Sequence, residues 1–288
     1  MPTWRDYVSL LKLRIAALLL LVAVAGYLVA RGPAVEPGAL ALLLASGLLA
    51  SGGASAMNHY VDRDLDGTMV RTRRRPIPAG RVPAVHALSF GTALVLVSMV
   101  LALFVNALTA AFVLLGFVVY VFVYTIALKR RTVWNIVIGG IAGSCPALAG
   151  GAAAVGGIAL GPVLLALLVF LWTPGHFWAL AFLMREDYAR ARLPMLPAVM
   201  PERSAVKWIV LSTALVPPFA LSFWFLEVSG LGYLAVALTA GAVLLWLAAR
   251  FLRAATRANA WAAYRASGIY LAAIVLGLAA DRLLATSL

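Results

Sequence analysis

Three oxygen-bearing side chains recur every four residues near the end of an apolar segment: Asn58, Asp62 and Asp66. On a helix, residues four apart are separated by about 40° and about 6 Å, so these three share one face. Carboxylates on one face repel each other unless a cation lies between them. Mg²⁺ favours such oxygen ligands, completed by phosphate oxygens of a substrate. The spacing therefore predicts a site for magnesium and a diphosphate. The alternative is that the acids only pair with the arginines that follow at 71–75.

A second acidic pair, Glu186 and Asp187, echoes this pattern about 125 residues later. Both acidic groups are followed by arginines and then by two prolines, at 76–78 and at 194–197. Such an echo predicts two parallel halves that face a shared site, with Asp187 as the contribution of the second half. Asp64 lies on the wrong face of a continuous helix and would join the site only if the helix unwinds.

Basic residues close to these acids are candidate phosphate ligands, because guanidinium groups grip phosphate through paired hydrogen bonds. Arg63, Arg71 and Lys129 are the better candidates. Arginines in the loops of membrane proteins also set topology. For Arg74, Arg75 and Arg81, the topological explanation is equally good.

The three histidines differ in their setting. His176 follows Pro174 and Gly175 inside an apolar run, where a helix can bend and expose backbone groups to a cavity. An ionisable group at such depth is a functional candidate, although structural packing is the alternative. His59 points away from the Asn58 face and His86 lies near a surface, so a structural role is expected for both.

The elements that carry these residues belong in lipid. The 288 residues are 64% hydrophobic and 11% charged, with a mean hydropathy of +1.01. This composition excludes a water-soluble enzyme, a disordered chain and a fibrous repeat. The net charge of +13 does not indicate nucleic acid, because the charges lie between the apolar runs. Uncharged stretches occupy 15–30, 37–61, 82–128, 132–184, 208–226, 228–249 and 266–280.

A membrane span needs about 20 apolar residues, so the two longest stretches each hold two helices. Their breaks are predicted at Asn106 and at 156–162, which gives nine transmembrane helices. Of the 23 basic residues, 21 fall in the N-terminal tail or in the loops after even-numbered helices. The positive-inside rule then places the N-terminus inside and the C-terminus outside.

The sequence thus predicts an all-α integral membrane protein of nine transmembrane helices around a central cavity that opens to the cytoplasmic side. Residues 1–288 are expected to form one domain in the cell (inner) membrane. Within it, residues 1–14 form an amphipathic segment on the cytoplasmic surface.

Several motifs together resemble the UbiA superfamily of intramembrane prenyltransferases, and within it the branch that farnesylates haem. The first aspartate motif marks the superfamily, and the remaining segments mark the branch. The motifs are Asn58-x-x-x-Asp62-x-x-x-Asp66, Arg71-Thr72-Arg73, Tyr124 through Lys129-Arg130, Thr173-Pro174-x-His176-Phe177-Trp178, and Asp187-Tyr188 through Pro194-Met195-Leu196-Pro197.

The resemblance implies transfer of farnesyl from farnesyl diphosphate to a vinyl group of haem b, with addition of water, to give haem O and diphosphate. It implies Mg²⁺ held by Asn58, Asp62, Asp66 and Asp187. Catalytic and substrate-binding roles follow for Lys129, Arg63, Arg71, Arg73, Tyr124, Arg130 and His176. The implied partners are the lipid bilayer and the proteins of oxidase maturation, haem A synthase or cytochrome oxidase assembly, with no nucleic acid.

Two departures and two alternatives qualify the resemblance. The second aspartate motif is reduced to Glu186 and Asp187, which puts a symmetrical two-magnesium site in doubt. Tyr124 and Lys129 are one residue further apart than the Tyr-x-x-x-Lys of other branches, so either Lys129 or Arg130 could point inward. A prenyltransferase for an aromatic quinone precursor would differ only in its acceptor pocket. A secondary transporter is disfavoured, because its charges should lie near the bilayer midplane.

Overall fold

The computed structural model describes residues 2–284 and is helical throughout, without strands in that range. Met1 and residues 285–288 fall outside it, so both ends of the predicted 1–288 domain lie outside the described residues. In chain order the helices are α1 (Trp4–Leu10), α2 (Leu13–Arg31), α3 (Pro37–Val61), α4 (Arg63–Thr68), α5 (Ala84–Val105), α6 (Ala107–Leu128), α7 (Asn135–Val155), α8 (Leu160–Leu183), α9 (Arg185–Arg190), α10 (Leu196–Val199), α11 (Glu202–Phe225), α12 (Leu231–Arg253) and α13 (Arg257–Leu284).

Nine of these helices are long and apolar enough to cross a membrane within the described part of the chain: α2, α3, α5, α6, α7, α8, α11, α12 and α13. The predicted number of spans is confirmed. Both predicted breaks are also present. Asn106 ends α5 and begins α6, with its side-chain oxygen accepting the backbone N–H of Thr109 at 2.7 Å. Gly156 ends α7 in a left-handed conformation, and α8 begins at Leu160.

The nine helices pack in a closed arrangement in which α13 lies against both α2 and α8. The contact between α2 and α7 requires glycine on both sides. A Cβ at Gly26 would lie 2.3 Å from the carbonyl oxygen of Ala147, and one at Gly150 would lie 2.0 Å from that of Ala23. The two backbones can therefore meet directly, as small residues allow in membrane helices.

Short helices surround one end of this bundle. α1 packs on α3 with Leu10 buried, whereas Trp4 is 71% exposed, so the helix has an apolar and an open side. An ion pair of 2.8 Å between Asp6 and Arg81 ties α1 to the loop that precedes α5. α4 and α9 continue from the ends of α3 and α8, and they carry the two predicted acidic groups to the same end of the molecule.

Candidate active site

The face predicted at the end of α3 persists through a break in the helix. α3 ends at Val61 and α4 begins two residues later. The backbone N–H of Asp62 still donates to the carbonyl of Asn58 at 2.9 Å, and that of Asp66 donates to the carbonyl of Asp62 at 2.8 Å. Asn58, Asp62 and Asp66 are buried, whereas the Asp64 side chain is 62% exposed. The prediction that the three share a face without Asp64 is confirmed.

Each buried carboxylate faces a cation from a different element. The Lys129 ammonium, at the end of α6, pairs with Asp62. Nη1 of Arg75 donates to both carboxylate oxygens of Asp66, at 2.9 and 2.8 Å. Burying a charge is costly unless it is paired, so these cations make the burial of the acids possible. Pairing with an arginine of the following loop, the alternative drawn from the sequence, is thus realised for Asp66.

A third cation reaches the site from the turn between α1 and α2. Nζ of Lys12 donates to Oδ1 of Asn58 at 2.9 Å and to the hydroxyl of Tyr120 at 3.4 Å. The Lys12 backbone is left-handed, with a φ of 49°. Burial of the ammonium, together with the charges of Arg75 and Lys129, lowers the pKa of Lys12 to about 7. The sequence placed Lys12 in a surface segment and gave no sign of its reach across 46 residues to Asn58.

The second half of α6 is a π-helix over Val119–Leu128. The N–H of Lys129 accordingly donates to the carbonyl of Tyr124, five residues back, at 2.8 Å. In a π-helix the hydrogen bond spans five residues instead of four, because each turn is wider, so the additional residue between Tyr124 and Lys129 is absorbed in the turn. Lys129 turns toward the buried acids. Arg130 instead donates to Asp64 at 2.8 and 2.7 Å, and this contact holds the pKa of Asp64 below its ordinary value.

A cavity of about 670 Å³ opens beside Lys12 and Arg75, the partners of Asn58 and Asp66. Of the residues that line it, six are cationic and none is acidic within the described range: Lys12, Arg14, Arg71, Arg74, Arg75 and Arg81. A concave surface of one charge sign concentrates ions of the opposite sign. The cavity therefore has the chemistry of a phosphate-binding site.

His59 also lines this cavity, which corrects the interpretation drawn from its position on the helix. It was expected to point away from the site because it is one residue, about 100°, from Asn58. The turn at Lys12 and the loop 71–81 wrap around the end of α3, so the cavity extends over the His59 side as well. Only 2% of the His59 surface is exposed.

Asp187 joins the two predicted halves through backbone groups. Its carboxylate accepts the N–H of Val70 at 3.2 Å and that of Arg71 at 3.3 Å. Within residues 2–284, no three His, Cys, Asp or Glu side chains lie close enough to share a metal ion. Asp187 thus holds the loop that carries Arg71, and its role as a metal ligand remains a prediction.

The structure separates the other predicted phosphate ligands. Arg71 lines the cavity and its side chain contacts Tyr188. The Arg63 guanidinium instead lies 4.6 Å from the centre of the Tyr60 ring and donates to the Tyr60 carbonyl at 2.8 Å. Arg73 is exposed and does not line the cavity. Substrate-binding roles for Arg63 and Arg73 remain predictions.

His176 lies in a second polar position, between α8 and α13. Its ring is 4.2 Å from that of Trp172 and 4.7 Å from that of Tyr264, centre to centre, so it is held between two aromatic rings. Nδ1 shares a hydrogen bond of 2.8 Å with the hydroxyl of Ser267. The Trp172 indole donates to the Ser267 carbonyl at 2.9 Å. Ser267, which the sequence did not single out, thus orients the rings of Trp172 and His176. Because Ser267 contacts Nδ1 of His176, Nε2 lies on the opposite side of the ring from Ser267.

The oxygen atoms at the end of α3 fit a hard divalent cation. Nδ2 of Asn58 donates to Oδ2 of Asp62 at 2.7 Å and to the Thr125 hydroxyl at 3.2 Å. Oδ1 of Asp62 is buried and accepts no hydrogen bond from the described residues. A buried carboxylate oxygen with free lone pairs, next to Asp66, is a donor of the kind that Mg²⁺ binds.

Comparison with known proteins agrees with this geometry. The pattern of the UbiA prenyltransferase family matches residues 19–274. The chain belongs to the UbiA prenyltransferase family. The resemblance predicted from the motifs is thereby confirmed.

Relatives of this UbiA family member have one name in common. A "Protoheme IX farnesyltransferase" from Symbiobacterium thermophilum is 44% identical over 281 residues, which cover 96% of this chain and 94% of the relative. Another, from Roseiflexus sp., is 43% identical over 279 residues. The chain spans about half the length of the Roseiflexus relative, 52%. These names do not favour the alternative of a quinone-precursor prenyltransferase.

Among solved structures, a UbiA homologue from Archaeoglobus fulgidus bound to DMAPP and Mg²⁺ has a TM-score of 0.72 at 16% identity. The match covers 95% of this chain and 99% of that one. The likeness establishes the UbiA fold for the nine-helix arrangement.

Proposed function

We propose that the chain transfers the farnesyl group of farnesyl diphosphate to a vinyl group of haem b, with addition of water, to give haem O and diphosphate. The observation that carries this proposal is the 44% identity, over nearly the full length of both chains, to a relative named protoheme IX farnesyltransferase. The cationic cavity beside Asp62 and Asp66 supports the diphosphate half of the reaction.

The oxygen atoms of the site support a role for a divalent cation. Oδ1 of Asp62 is buried and has no hydrogen-bond partner among the described residues, and Asp66 follows one helical turn later. Phosphate oxygens of a prenyl diphosphate would complete the kind of ligand set that Mg²⁺ prefers. We assign Asn58, Asp62 and Asp66 as the residues that would hold Mg²⁺, in line with the solved UbiA homologue that carries DMAPP and Mg²⁺.

When bound, Mg²⁺ would supply charge stabilisation for the departing diphosphate. The residues of the chain share that task. Lys12, Arg71 and Arg75 line the cavity where the diphosphate would lie, and the Lys129 ammonium group pairs with Asp62. As the carbon–oxygen bond of farnesyl diphosphate breaks, its electron pair leaves with the diphosphate, and these cations stabilise the growing charge.

The vinyl group of haem b then supplies the electrons of the new carbon–carbon bond. Water adds to the adjacent carbon and releases a proton, so that atoms and charge are conserved in the overall reaction. The apolar helices around the site keep other water away from the allylic cation. We assign the acceptor to the region of His176, because its Nε2 is left free by the Ser267 contact and its ring is fixed in place by Trp172 and Tyr264.

The product decides this function. Membranes containing the chain are incubated with haem b, Mg²⁺ and farnesyl diphosphate, and the extracted haem is analysed by mass and absorption spectrum. A haem in which a hydroxyethylfarnesyl group replaces one vinyl group is expected, heavier than haem b by one farnesyl and one hydroxyl group, and none without farnesyl diphosphate. An unchanged haem, together with prenylation of an aromatic quinone precursor, would overturn the acceptor assignment.

We also propose that the cavity faces the cytoplasm from a multi-pass position in the cell (inner) membrane, since 21 of 23 basic residues fall on that predicted side. Single cysteines placed in the loop 71–81 of a Cys145→Ala chain should react with a membrane-impermeant thiol reagent only after the cytoplasmic side is opened. Labelling from outside intact cells would reverse the orientation.

A further inference from the structure

His59 is a buried polar side chain at this site to which the described residues give no hydrogen-bond partner. Only 2% of its surface is exposed, and neither Nδ1 nor Nε2 has a hydrogen-bond partner in the part of the chain that the structure describes. Buried polar atoms in native proteins almost always have a partner, because leaving one unpaired is costly. The two free nitrogens therefore indicate a ligand that the chain does not provide.

The nearest acid does not fill this need. Oδ2 of Asp66 lies 4.0 Å from Nδ1 of His59, which is too far for a hydrogen bond. Both oxygens of Asp66 already accept from Arg75. The ring instead lines the 670 Å³ cavity together with Lys12, Arg71 and Arg75.

These neighbours determine which kind of ligand the ring can meet. Lys12, Arg71 and Arg75 line the cavity beside the imidazole, and their positive charges favour an anionic ligand there. An imidazole has at least one N–H donor in either protonation state. Anionic oxygens bound next to it would accept that N–H in a charge-assisted hydrogen bond.

We propose that His59 donates a ring N–H to a diphosphate oxygen of the prenyl substrate and is a substrate-binding residue of this chain. The inference rests on the prenyl diphosphate site of the proposed function and not on the identity of the acceptor. His59 would add one directional N–H donor to the hydrogen bonds and charges that the arginines supply.

The test uses the purified full-length chain without haem, and it measures Kd for farnesyl diphosphate and for inorganic diphosphate in the presence of Mg²⁺ by titration calorimetry. His59→Gln and His59→Met form a matched pair, since both side chains are unbranched and of similar length, but only glutamine carries an N–H donor. His86→Met is the control, because His86 is exposed and does not line the cavity.

His59→Met should bind both ligands about tenfold more weakly, as expected for loss of one hydrogen bond to a charged group. His59→Gln should stay within about threefold of wild type, and His86→Met should not differ from it. In turnover assays, KM for farnesyl diphosphate should rise in His59→Met while kcat changes little. Thermal melting of each variant checks that the fold is intact.

Equal Kd values for the Gln and Met variants would overturn the inference, whether both match wild type or both are weakened by packing damage. If the wild-type chain binds diphosphate through His59 but forms no haem O, the assignment of haem b as the acceptor is wrong, and the inference about His59 stands. Wild-type chain that binds no diphosphate would overturn both.

Discussion

The ends of α3 and α8 repeat the same order of residue types but place their acids in different surroundings. After α3, Asp62 and Asp66 are buried and each meets a cation. After α8, Glu186 is exposed and Asp187 is partly buried against backbone N–H groups of the first half. The first acidic group therefore forms ion pairs inside the proposed site, and Asp187 of the second group fixes the loop that lines the cavity.

The two halves of the repeat thus place their acidic groups at similar positions but give them different contacts. Both acidic groups lie at the same end of the bundle, as the sequence pattern predicts. Their surroundings differ: Lys129 and Arg75 pair closely with the first group, whereas Asp187 accepts the backbone N–H groups of Val70 and Arg71 and only a longer contact of 3.5 Å from Arg190. A carboxylate that accepts two backbone N–H groups orders the loop that carries them.

Removing a charge from the first acidic group should have the largest effect. Asp62→Asn and Asp66→Asn should each reduce haem O formation by at least about 1000-fold, because each loses a proposed metal ligand and leaves a cation without its partner. Gel filtration should show that both variants remain folded. Asp64→Asn is the matched control and should be much milder, since Asp64 is exposed and pairs with Arg130. Equal loss at all three positions would mean that burial does not distinguish them.

His176→Ala should affect the acceptor alone. Haem binding, followed by the haem absorption band, should weaken by about 10- to 100-fold, whereas the Kd for farnesyl diphosphate should stay almost unchanged. Ser267→Ala should weaken haem binding in the same direction but less, because the His176 ring keeps its stacking against Trp172 and Tyr264. A parallel loss of diphosphate binding would show that the two sites are not separable.

Asp187→Ala should have an intermediate effect on the diphosphate side. Freeing Val70 and Arg71 should raise KM for farnesyl diphosphate about tenfold, and Asp187→Asn should recover part of this because its amide oxygen can still accept one N–H. The Mg²⁺ concentration that gives half-maximal activity should remain that of wild type. A rise in that concentration would restore Asp187 to the metal-ligand role predicted from the sequence.

Glu186→Gln should have the smallest effect, within about twofold of wild-type turnover, because an exposed carboxylate contributes little. Initial rates at subsaturating farnesyl diphosphate give the most sensitive comparison with Asp187→Ala. A large loss in Glu186→Gln would assign the second acidic group a chemical role after all.

The spans, their breaks and the shared acidic face follow from the sequence because each depends on local order. Lipid forces uncharged runs into helices, Asn106 and Gly156 end helices through their own backbone preferences, and a four-residue spacing fixes a face wherever the chain is helical. None of these features needs knowledge of a distant partner.

Lys12 and His59 could not be assigned from the sequence, because their roles depend on segments that meet only after packing. Lys12 acts through Asn58, 46 residues away, and His59 reaches the cavity because the turn at Lys12 and the loop 71–81 wrap around α3. The inward choice of Lys129 over Arg130 likewise depends on helical geometry that the residue order does not reveal.

The π-helical half of α6 bears on how members of this family should be aligned. A residue inserted into an α-helix rotates everything after it by about 100°. Here the widened turn confines that rotation, so the ammonium of Lys129 still meets Asp62 although it stands five residues after Tyr124. Insertions and deletions in this span can thus be tolerated without moving the site. Counting four residues from Tyr124 reaches Leu128 and misses Lys129, so this span is better compared with other chains by superposing the helices.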